Sequence, residues 1–341
     1  MTIEQLYSPN GAAEKFIQSA PGGKIYHLPE IQRLIQNTFG HETIYLQAKE
    51  GDDVCGVLPL VHMKNRLFGN FVISVPFFNY GGVCSENEAA TNAMLEEAIR
   101  ITKERQASHL ELRHVEKIYP QLPGKSHKVA MILDLPEDSE KLWQSFKSKL
   151  RSQIRKPEKE GLTVQIGKME LLRHFYSIFT VNMRDLGTPV YSKYLFANML
   201  HSFPDNAWII CVYKDKLPVA AGFVVGFGEM MEIPWASSLR EYNRLSGNMM
   251  MYWQALKLAL DEGYRKFDFG RSTPNEGTYK FKAQWGAEPL PLNWEYWLAH
   301  GGALPDISPK NAKFQAAIKV WQKIPLPVTK IIGPAIVKNI P

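Results

Sequence analysis

The chain has few cysteines and no long apolar run, and both absences narrow the classes of protein to which it can belong. Its three cysteines, Cys55, Cys84 and Cys211, lie far apart among 341 residues, which suits neither a disulfide framework nor a zinc site. We therefore expect a reducing cytoplasm and no bound metal. No stretch of about 18 uninterrupted apolar residues occurs, so we expect no membrane-spanning helix. The start, MTIEQLYSPN, has no charged segment followed by an apolar core, and we expect no signal peptide.

Low-complexity tracts and long Gly/Ser linkers are also missing. The composition is globular, with 45% hydrophobic and 22% charged residues, and the length allows two domains of ordinary size. The net charge of +6 is unevenly distributed: residues 141–160 carry +5, residues 310–341 carry +6, and the remainder carries −5. Because the basic residues are confined to two patches, we expect no DNA binding, and a locally bound anion such as phosphate is favoured.

Two segments share the same order of elements, which indicates an internal duplication. The first runs from FVISVPFFNYGG through a predicted helix at about residues 86–107 to HLELR; the second runs from MEIPWASS through a helix at about 248–263 to KFDFGR. Pro76 and Pro234 are separated by 158 residues, and so are Arg113 and Arg271. Apolar strand pairs precede each segment, around VCGVLPLVH and VAAGFVVGF. The repeated strand–helix–strand order predicts parallel or locally splayed strands with ligand sites at their carboxyl ends.

Local signals set the expected boundaries of these helices and of the segment between the repeats. Ser85 is the predicted N-cap of the first helix, and Gly263 is the predicted stop of the second. Between the repeats, LWQSFKSKLRSQIRKPEKEG has an apolar face and many basic residues. Because Pro157 disfavours helix at the preceding residue, we expect that helix to end near Arg155.

Four motifs carry a resemblance to a known family: KLRSQIRKPEKEG, NMRDLGTPVY, PWASSLREYNRLSGN and FDFGRSTPNEGTYKFKAQWGAEP. With them, residues 30–298 resemble the FemAB-related proteins that accompany PEP-CTERM/exosortase systems and exopolysaccharide loci. The resemblance implies an α/β (α+β) fold of two tandem domains like GCN5-related N-acetyltransferases (GNAT). We therefore expect an N-terminal domain at 1–135, a basic linker helix at 136–160, a C-terminal domain with the active centre at 161–298, and a basic tail at 299–341.

The resemblance also supplies candidate catalytic residues. Lys282 matches the F-K-x-x-aromatic segment of Fem ligases, where the resemblance implies that the lysine stabilises the transition state. We place it on a strand, with Lys280 on the same face. Glu232 lies on the strand that in acetyltransferases often carries the carboxylate accepting the amine proton, and Asp268 is its rival. Each has an alternative structural role, as an exposed lysine or a member of an ion pair.

The predicted donor site combines two features. Arg244, Gly247 and Asn248 match half of the pyrophosphate loop of acetyltransferases, R-x-x-G-x-[G/A], in which backbone amides hold coenzyme A. Met249 replaces the last small residue, and we expect it to crowd the phosphate. In the linker helix, Lys149, Arg151 and Arg155 are candidates for binding a pyrophosphate or the backbone of a tRNA. A turn into a helix and a solvated basic face are the structural alternatives.

The predicted acceptor site is formed by polar and aromatic residues at strand ends and on a helix. Arg184 and Asp185 are adjacent on a helix and are expected not to pair with each other. Aromatic rings at the strand ends suit stacking on a sugar, although each residue of the set has a packing role as its alternative. The proposed acceptor-binding residues are Asn79, Tyr80, Arg113, Arg184, Asp185, Tyr191, Trp235, Ser237, Arg271, Tyr279 and Lys280.

The tail at 310–341 combines apolar residues at helical spacing, including Phe314 and Trp321, with lysines, and Pro325 and Pro327 are expected to end its helix. We expect the tail either to anchor the protein at a membrane interface or to dock on its own domain.

The sequence as a whole predicts a cytoplasmic enzyme, free or at the inner face of the membrane. It transfers an acyl or aminoacyl group to an amine of a saccharide- or peptide-containing envelope precursor. No tightly bound cofactor is expected, and the donor is acyl-coenzyme A or aminoacyl-tRNA. Its partners are then a saccharide- or lipid-linked acceptor and, with the second donor, tRNA. The alternatives are an acetyl-coenzyme A-dependent sugar N-acetyltransferase and a non-catalytic scaffold of exopolysaccharide assembly.

Overall fold

The computed structural model of the protein describes residues 1–6, 11–66, 68–305 and 312–341, with side chains 312–314 excepted. The predicted contribution of Phe314 therefore lies outside the described residues. The strands are β1 (Thr2–Leu6), β2 (Glu42–Glu50), β3 (Asp53–Asn65), β4 (Gly69–Ile73), β5 (Cys84–Ser85), β6 (His109–His114), β7 (Gly124–Lys125), β8 (Val129–Asp134), β9 (Leu162–Gly167), β10 (Ala207–Lys214), β11 (Leu217–Phe227), β12 (Met230–Ser238), β13 (Lys266–Ser272), β14 (Glu288–Pro291) and β15 (Asn293–Leu298). The helices are α1 (Gly11–Ser19), α2 (Pro29–Phe39), α3 (Glu88–Glu104), α4 (Ser139–Ser145), α5 (Ser148–Lys159), α6 (Leu172–Leu186), α7 (Lys193–Ser202), α8 (Gly247–Asp261), α9 (Gly277–Ala283), α10 (Ala312–Trp321) and α11 (Leu326–Val337).

Two compact units, each with its own sheet, make up the described chain. The first comprises Met1–Val129, Leu290–Pro305 and Lys338–Pro341; the second comprises Ala130–Pro289 and Asp306–Val337. The first sheet has the order β1-β2-β3-β4-β6-β15-β7, with β5 pairing β3, and the second has the order β14-β8-β13-β12-β11-β10-β9. In each sheet, one parallel pair, β4–β6 or β12–β13, is connected through a helix, α3 or α8. The duplicated strand–helix–strand order predicted from the repeat is therefore present in both units.

Each sheet also contains a strand that the expected domain boundaries assign elsewhere. Strand β15, from the expected C-terminal domain, pairs with β6 in the first sheet. Strand β8, from the expected N-terminal domain, lies next to β13 in the second sheet. The segment expected to be a linker, α4 and α5, belongs to the second unit, where Phe146, Leu150 and Ile154 are buried. Apolar strands of similar pattern fit either sheet. For this reason the domain boundaries expected from the sequence differ from those of the two structural units.

Helix boundaries partly follow the expected signals. Gly263, with φ of 83°, follows the end of α8 as predicted. The N-cap of α3 is Asn87 and not Ser85, because the Asn87 side chain accepts a hydrogen bond from the Ala90 amide at 2.6 Å. The predicted end of the basic helix near Arg155 is also wrong. Helix α5 continues to Lys159 with Pro157 buried in its last turn, so tertiary packing outweighs the local preference of the residue before proline.

The tail helices pack on the second unit. The Gly187 Cα lies so close to Ile318 that an added Cβ would be 2.4 Å from its Cγ2 atom, and Gly333 is similarly close to Val190. Trp321 is buried. A break before Pro325 separates α10 from α11, so the prolines interrupt the helix as expected, but a second helix follows them. Among the described residues no helix is long and apolar enough to cross a membrane.

Candidate functional site

Two buried carboxylates meet where the parallel strands of the second unit separate. Glu232 on β12 is the register partner of Asp268 on β13, and this is the last pair of the ladder although both strands continue. The neighbouring β11–β12 ladder shifts register between Phe223 and Val225, at the level of Pro234, which has no N–H to donate. The parallel, locally splayed strand pair expected from the sequence is thus present, and Glu232 and Asp268 are the last pair before the strands separate.

Lys282 lies beside this separation, but on a helix. It belongs to α9, is 7% exposed, and donates from Nζ to the carbonyl oxygens of Gly270 at 2.8 Å and Arg271 at 3.0 Å. Its predicted strand location is wrong, and so is the shared face with Lys280, because helix positions two apart point in nearly opposite directions. Lys280 is exposed, and Tyr279 is half-buried.

The environment of Lys282 makes its ammonium group easy to deprotonate. Burial lowers its pKa to about 8, the negative charge of Asp268 opposes this shift, and the positive charge of Arg271 adds to it. Asp268 is fully buried, and its Oδ1 accepts the Gly270 amide hydrogen at 2.7 Å. Gly270 has φ of 78°, a conformation that favours glycine. Gly270 is not among the site residues expected from the sequence; its signal is its position between Asp268 and Arg271.

The other expected acceptor residues on β12 are buried in packing contacts. Trp235 is 8% exposed, and its ring lies 5.0 Å from that of Phe196 and 6.4 Å from that of Tyr191, centroid to centroid. Ser237 is buried, and its hydroxyl oxygen accepts a hydrogen bond from Asn182 Nδ2 at 3.1 Å. These contacts correspond to the packing alternative, and they leave no open face on Trp235 for stacking on a sugar.

Arg184 and Asp185, expected not to pair, form an ion pair. Arg184 Nη2 lies 2.8 Å from Asp185 Oδ1, and Nε also donates to that oxygen at 3.0 Å. The long arginine side chain can fold back to its neighbour although the two Cα–Cβ directions differ. The Asp185 backbone oxygen accepts hydrogen bonds from Arg240 and from Gln322 of the tail. Both side chains of the pair are partly exposed, and the Asp185 carbonyl connects the end of α6 to the tail.

The expected pyrophosphate loop forms a turn into α8. Residues Arg240–Leu245 form a short 3-10 helix, Ser246 is left-handed with φ of 59°, and α8 begins at Gly247. Arg244 is exposed, Asn248 is half-buried, and Met249 is buried at 5% exposure. Because the Met249 side chain lies in the interior, the structure does not show it crowding an open phosphate site.

The basic residues of α5 lie on its outer face. Lys149 and Arg155 are exposed and Arg151 is half-buried. The Arg155 guanidinium lies over the Trp143 ring at 4.9 Å, while Phe146 contacts Trp253 and Trp285 of the second unit. The apolar face of this segment therefore anchors it, and its basic residues remain available.

In the first unit, the expected acceptor residues belong to a buried network. Arg113 is 3% exposed; its Nε pairs with Glu111 at 2.9 Å, and its guanidinium lies 4.1 Å from the Trp294 ring centroid. Tyr80 is 2% exposed, and Asn79 is half-buried. Arg113 and Tyr80 are thus placed in the core of the unit, and we do not retain them as acceptor ligands.

Comparison with known proteins agrees with the GNAT-like fold. Residues 144–283 match the family described as "Acetyltransferase (GNAT) domain", a range that includes Glu232, Asp268 and Lys282. No curated protein sequence matches the chain.

Solved structures resemble the chain over most of its length. FemX is 16% identical with a TM-score of 0.66, covering 85% of this chain and 96% of that one. L-PGS from Bacillus licheniformis is 12% identical with a TM-score of 0.56, covering 96% and 98%. A tandem GNAT protein of the clavulanic acid biosynthesis pathway is 12% identical with a TM-score of 0.53, covering 89% and 100%. At these identities the likeness establishes the fold, and together with the domain match it supports an acyltransferase.

Proposed function

We propose that the protein is a Fem-type N-acyltransferase that moves an acyl or aminoacyl group onto an amine of a saccharide- or peptide-containing envelope precursor. The observation that carries this proposal is the buried Glu232–Asp268 pair at the separation of β12 and β13, with the Lys282 ammonium beside it. The site lies within the segment that matches the GNAT domain family. The nature of the acceptor rests on the resemblance of the sequence motifs to FemAB-related proteins.

The residues divide the chemistry between a proton acceptor and a cation. The amine nitrogen attacks the acyl carbonyl carbon, a C–N bond forms, and the bond to the donor's sulfur or ribose oxygen breaks. Glu232 accepts the amine proton, directly or through water, and the leaving group takes up a proton. Lys282 uses two N–H groups for the carbonyls of β13, so its third can donate to the developing oxyanion.

The test supplies purified protein with an acetyl-coenzyme A or an aminoacyl-tRNA donor and a panel of amino sugars and peptide amines. We expect amide product, detected by mass spectrometry, and a loss of about 10²–10³-fold in kcat for Glu232→Gln. Absence of product with every donor while the protein is folded would favour the scaffold alternative. Unchanged turnover in Glu232→Gln would remove Glu232 from the mechanism.

An acetyl-coenzyme A-dependent sugar N-acetyltransferase is the second candidate. The observation in its favour is the turn at Gly247 with exposed Arg244 at the start of α8, the position expected for a pyrophosphate loop. Since Met249 is buried, replacing it with glycine is expected to cost stability and not to improve coenzyme A binding. Micromolar binding of coenzyme A by the unmodified protein in calorimetry would favour this candidate.

We also propose that the enzyme works at an anionic membrane surface, through an apolar stripe on α11. Val328, Ile331 and Ile332 share one helix face and are 42%, 77% and 37% exposed, whereas Thr329, Gly333 and Val337 on the other side are buried. Residues 310–341 contain six lysines and no acidic residue. Exposed aliphatic side chains flanked by lysines suit insertion into an anionic lipid interface.

Vesicle sedimentation tests the membrane proposal. The protein should sediment with vesicles containing anionic phosphatidylglycerol and much less with vesicles of zwitterionic phosphatidylcholine alone. Ile331→Glu should abolish sedimentation without changing turnover of a soluble acceptor. Leu217→Glu, at an exposed aliphatic residue elsewhere in the second unit, should keep sedimentation. Equal sedimentation of both variants would exclude the stripe as the contact.

A further inference from the structure

The two hydrogen bonds that Lys282 Nζ makes within the described chain both go to backbone carbonyls, those of Gly270 at 2.8 Å and Arg271 at 3.0 Å. A carbonyl oxygen is neutral and holds a proton on the amine less strongly than a carboxylate does. Lys141 shows the contrast, because its Nζ pairs with the Glu137 carboxylate, which raises the pKa of its ammonium group. Lys282 can therefore lose a proton and still donate to both carbonyls.

These two contacts fix the direction of the remaining position on Nζ. The nitrogen of Lys282 is tetrahedral: one bond goes to Cε and two N–H groups point to the carbonyls, which leaves one direction. In the ammonium form this direction holds the third N–H, which the proposed mechanism uses for the oxyanion. In the neutral amine it holds the lone pair. Loss of one proton thus replaces an oxyanion donor by a nucleophile directed at the same acyl group.

The groups around Lys282 decide how often the neutral form occurs. Burial lowers its pKa to about 8, the Asp268 carboxylate opposes this shift, and the Arg271 guanidinium adds to it. Glu232 on β12 is the register partner of Asp268. Tyr252 of α8 contacts an aromatic ring of α9, and burial raises the pKa of its phenol, so it stays neutral. About half of the Lys282 amines are thus neutral at pH 8, against less than about 1% of an ordinary exposed lysine.

The position of Nζ is also at the border between interior and surface. Lys282 is 7% exposed; of the two residues whose carbonyls it contacts, Gly270 is buried and Arg271 is exposed. An acyl carbonyl oxygen that accepts the third N–H has its carbon one bond further, within the roughly 3–3.5 Å at which a nucleophile is placed for attack.

We infer that Lys282 is a site of self-acylation by an acyl thioester or ester donor when no acceptor amine is bound. This inference rests on the proposed function, which places the donor carbonyl at Lys282. The Nζ lone pair attacks the carbonyl carbon, a C–N bond forms, and the bond from that carbon to sulfur or oxygen breaks. The nitrogen loses a proton, and the leaving thiolate or alkoxide takes one up. The product is a stable amide without the cation or the third N–H, so the enzyme becomes inactive and the acyl group is not passed on.

Peptide mass spectrometry tests the modification. The full chain is incubated without acceptor, with acetyl-coenzyme A or an aminoacyl-tRNA, and separately with p-nitrophenyl acetate, a small activated ester that needs no donor-binding site. At pH 8 we expect Lys282 to be acylated at least about tenfold faster than Lys141. The rate at Lys282 should level off above pH 8, whereas the rate at Lys141 should still rise. Activity should be lost in proportion to the acylated fraction of Lys282.

Two substitutions of a carboxylate by an amide form a matched pair. Asp268→Asn removes the negative charge that favours the protonated form of Lys282 and keeps a side-chain acceptor oxygen, so acylation at pH 7 should be at least about twofold faster. Glu137→Gln should speed acylation of Lys141 and leave that of Lys282 unchanged. Arg271→Gln, at an exposed residue, gives a second test that does not alter the interior. Loss of its positive charge should slow acylation of Lys282 at pH 7.

The outcomes separate this inference from the proposed acyl transfer. Amide product on acceptor amines, with Lys282 left unmodified by the same donor, would overturn self-acylation alone. Acylation of Lys282 by a donor, with no product from any acceptor amine, would support self-acylation and contradict the proposed transfer. Self-acylation is also wrong if Lys282 reacts only with p-nitrophenyl acetate, if it reacts no faster than Lys141, or if neither Asp268→Asn nor Arg271→Gln changes its rate.

Discussion

Each unit has a carbonyl near the end of the second strand of its parallel pair, and the two carbonyls are satisfied in different ways, which separates structure from chemistry. In the first unit, the Arg113 carbonyl accepts a hydrogen bond from the Gly82 amide at 2.9 Å. In the second unit, the carbonyl of Arg271, the residue 158 positions later, accepts one from Lys282 Nζ at 3.0 Å. A backbone amide cannot titrate, whereas a buried ammonium with a pKa of about 8 can. The second unit thus keeps an ionisable group where the first has a fixed one.

The charged residues follow the same division. In the first unit Glu111 is neutralised by Arg113, and the pair is buried with the Trp294 ring over the guanidinium. In the second unit two carboxylates, Glu232 and Asp268, face the strand separation near Lys282. Such an arrangement suits proton transfer, because the protonation state of Lys282 depends on its neighbours. The first unit thus has a packed ion pair at this place, whereas the second has the ionisable groups on which the proposed function rests.

Among the substitutions that test this comparison, the one with the largest expected effect lowers the stability of the first unit. Arg113→Met leaves the Glu111 carboxylate buried without its cation, which should lower the free energy of unfolding by about 3–5 kcal/mol. Urea denaturation followed by circular dichroism measures it. Arg100→Met, which removes an exposed arginine of α3 from its pair with Glu97, should lower the free energy of unfolding far less than Arg113→Met does. Similar small losses in both variants would mean that the first unit is not held by its buried ion pair.

The second-largest expected effect is a loss of activity from a substitution in the second unit. Lys282→Met removes an oxyanion donor and should lower kcat by about 10²–10³-fold with a much smaller change in KM. Its effect on stability should be smaller than that of Arg113→Met, because the substitution also relieves the burial of a charge. Lys216→Met, at an exposed lysine of the β10–β11 turn, is the control and should leave turnover unchanged. Full activity in Lys282→Met would end the transfer of the Fem mechanism to this chain.

The sequence predicted the order of elements well, because each element carries its own local pattern. The apolar stripe of α8 and the stop at Gly263 lie within one segment, and so do the duplicated strands. Membership of β8 and β15 in particular sheets was not predictable in this way, because strand partners are chosen by long-range pairing. The segment around Lys282 was wrongly predicted as a strand. Its aromatic residues Tyr279 and Phe281 alternate with lysines, which fits the period of a strand, but in the structure Phe281 packs on Tyr252 of α8 from a helix.

The candidate site was predicted only in part, for a related reason. The resemblance indicated Glu232, Asp268 and Lys282, and the fold places them at one strand separation. Residue type also selected Arg113, Tyr80 and Trp235, but these are buried in aromatic and ionic contacts. A sequence does not distinguish an aromatic ring that lines a cleft from one that fills a core, because burial depends on what packs against it.

The smallest expected effect is a pH dependence that only the second unit can produce. If protonated Lys282 stabilises the oxyanion, kcat should be level below pH 8 and fall about tenfold per pH unit above it, as the ammonium with a pKa of about 8 loses its proton. The falling limb should be absent from the residual activity of Lys282→Met.

Stability should change with pH in the opposite direction, which separates lost chemistry from unfolding. Burial lowers the pKa of Lys282 from 10.5 in the unfolded chain to about 8 in the folded chain. Between these values the unfolded state binds more protons, so the contribution of Lys282 to the free energy of unfolding rises with pH. Kinetics and urea denaturation should therefore be measured at matched pH values. As pH rises, kcat should fall, whereas the difference in the free energy of unfolding between the unmodified protein and Lys282→Met should change in favour of the unmodified protein. An activity that rises through pH 8 would instead identify the neutral amine as the proton acceptor, and Glu232 would lose that role.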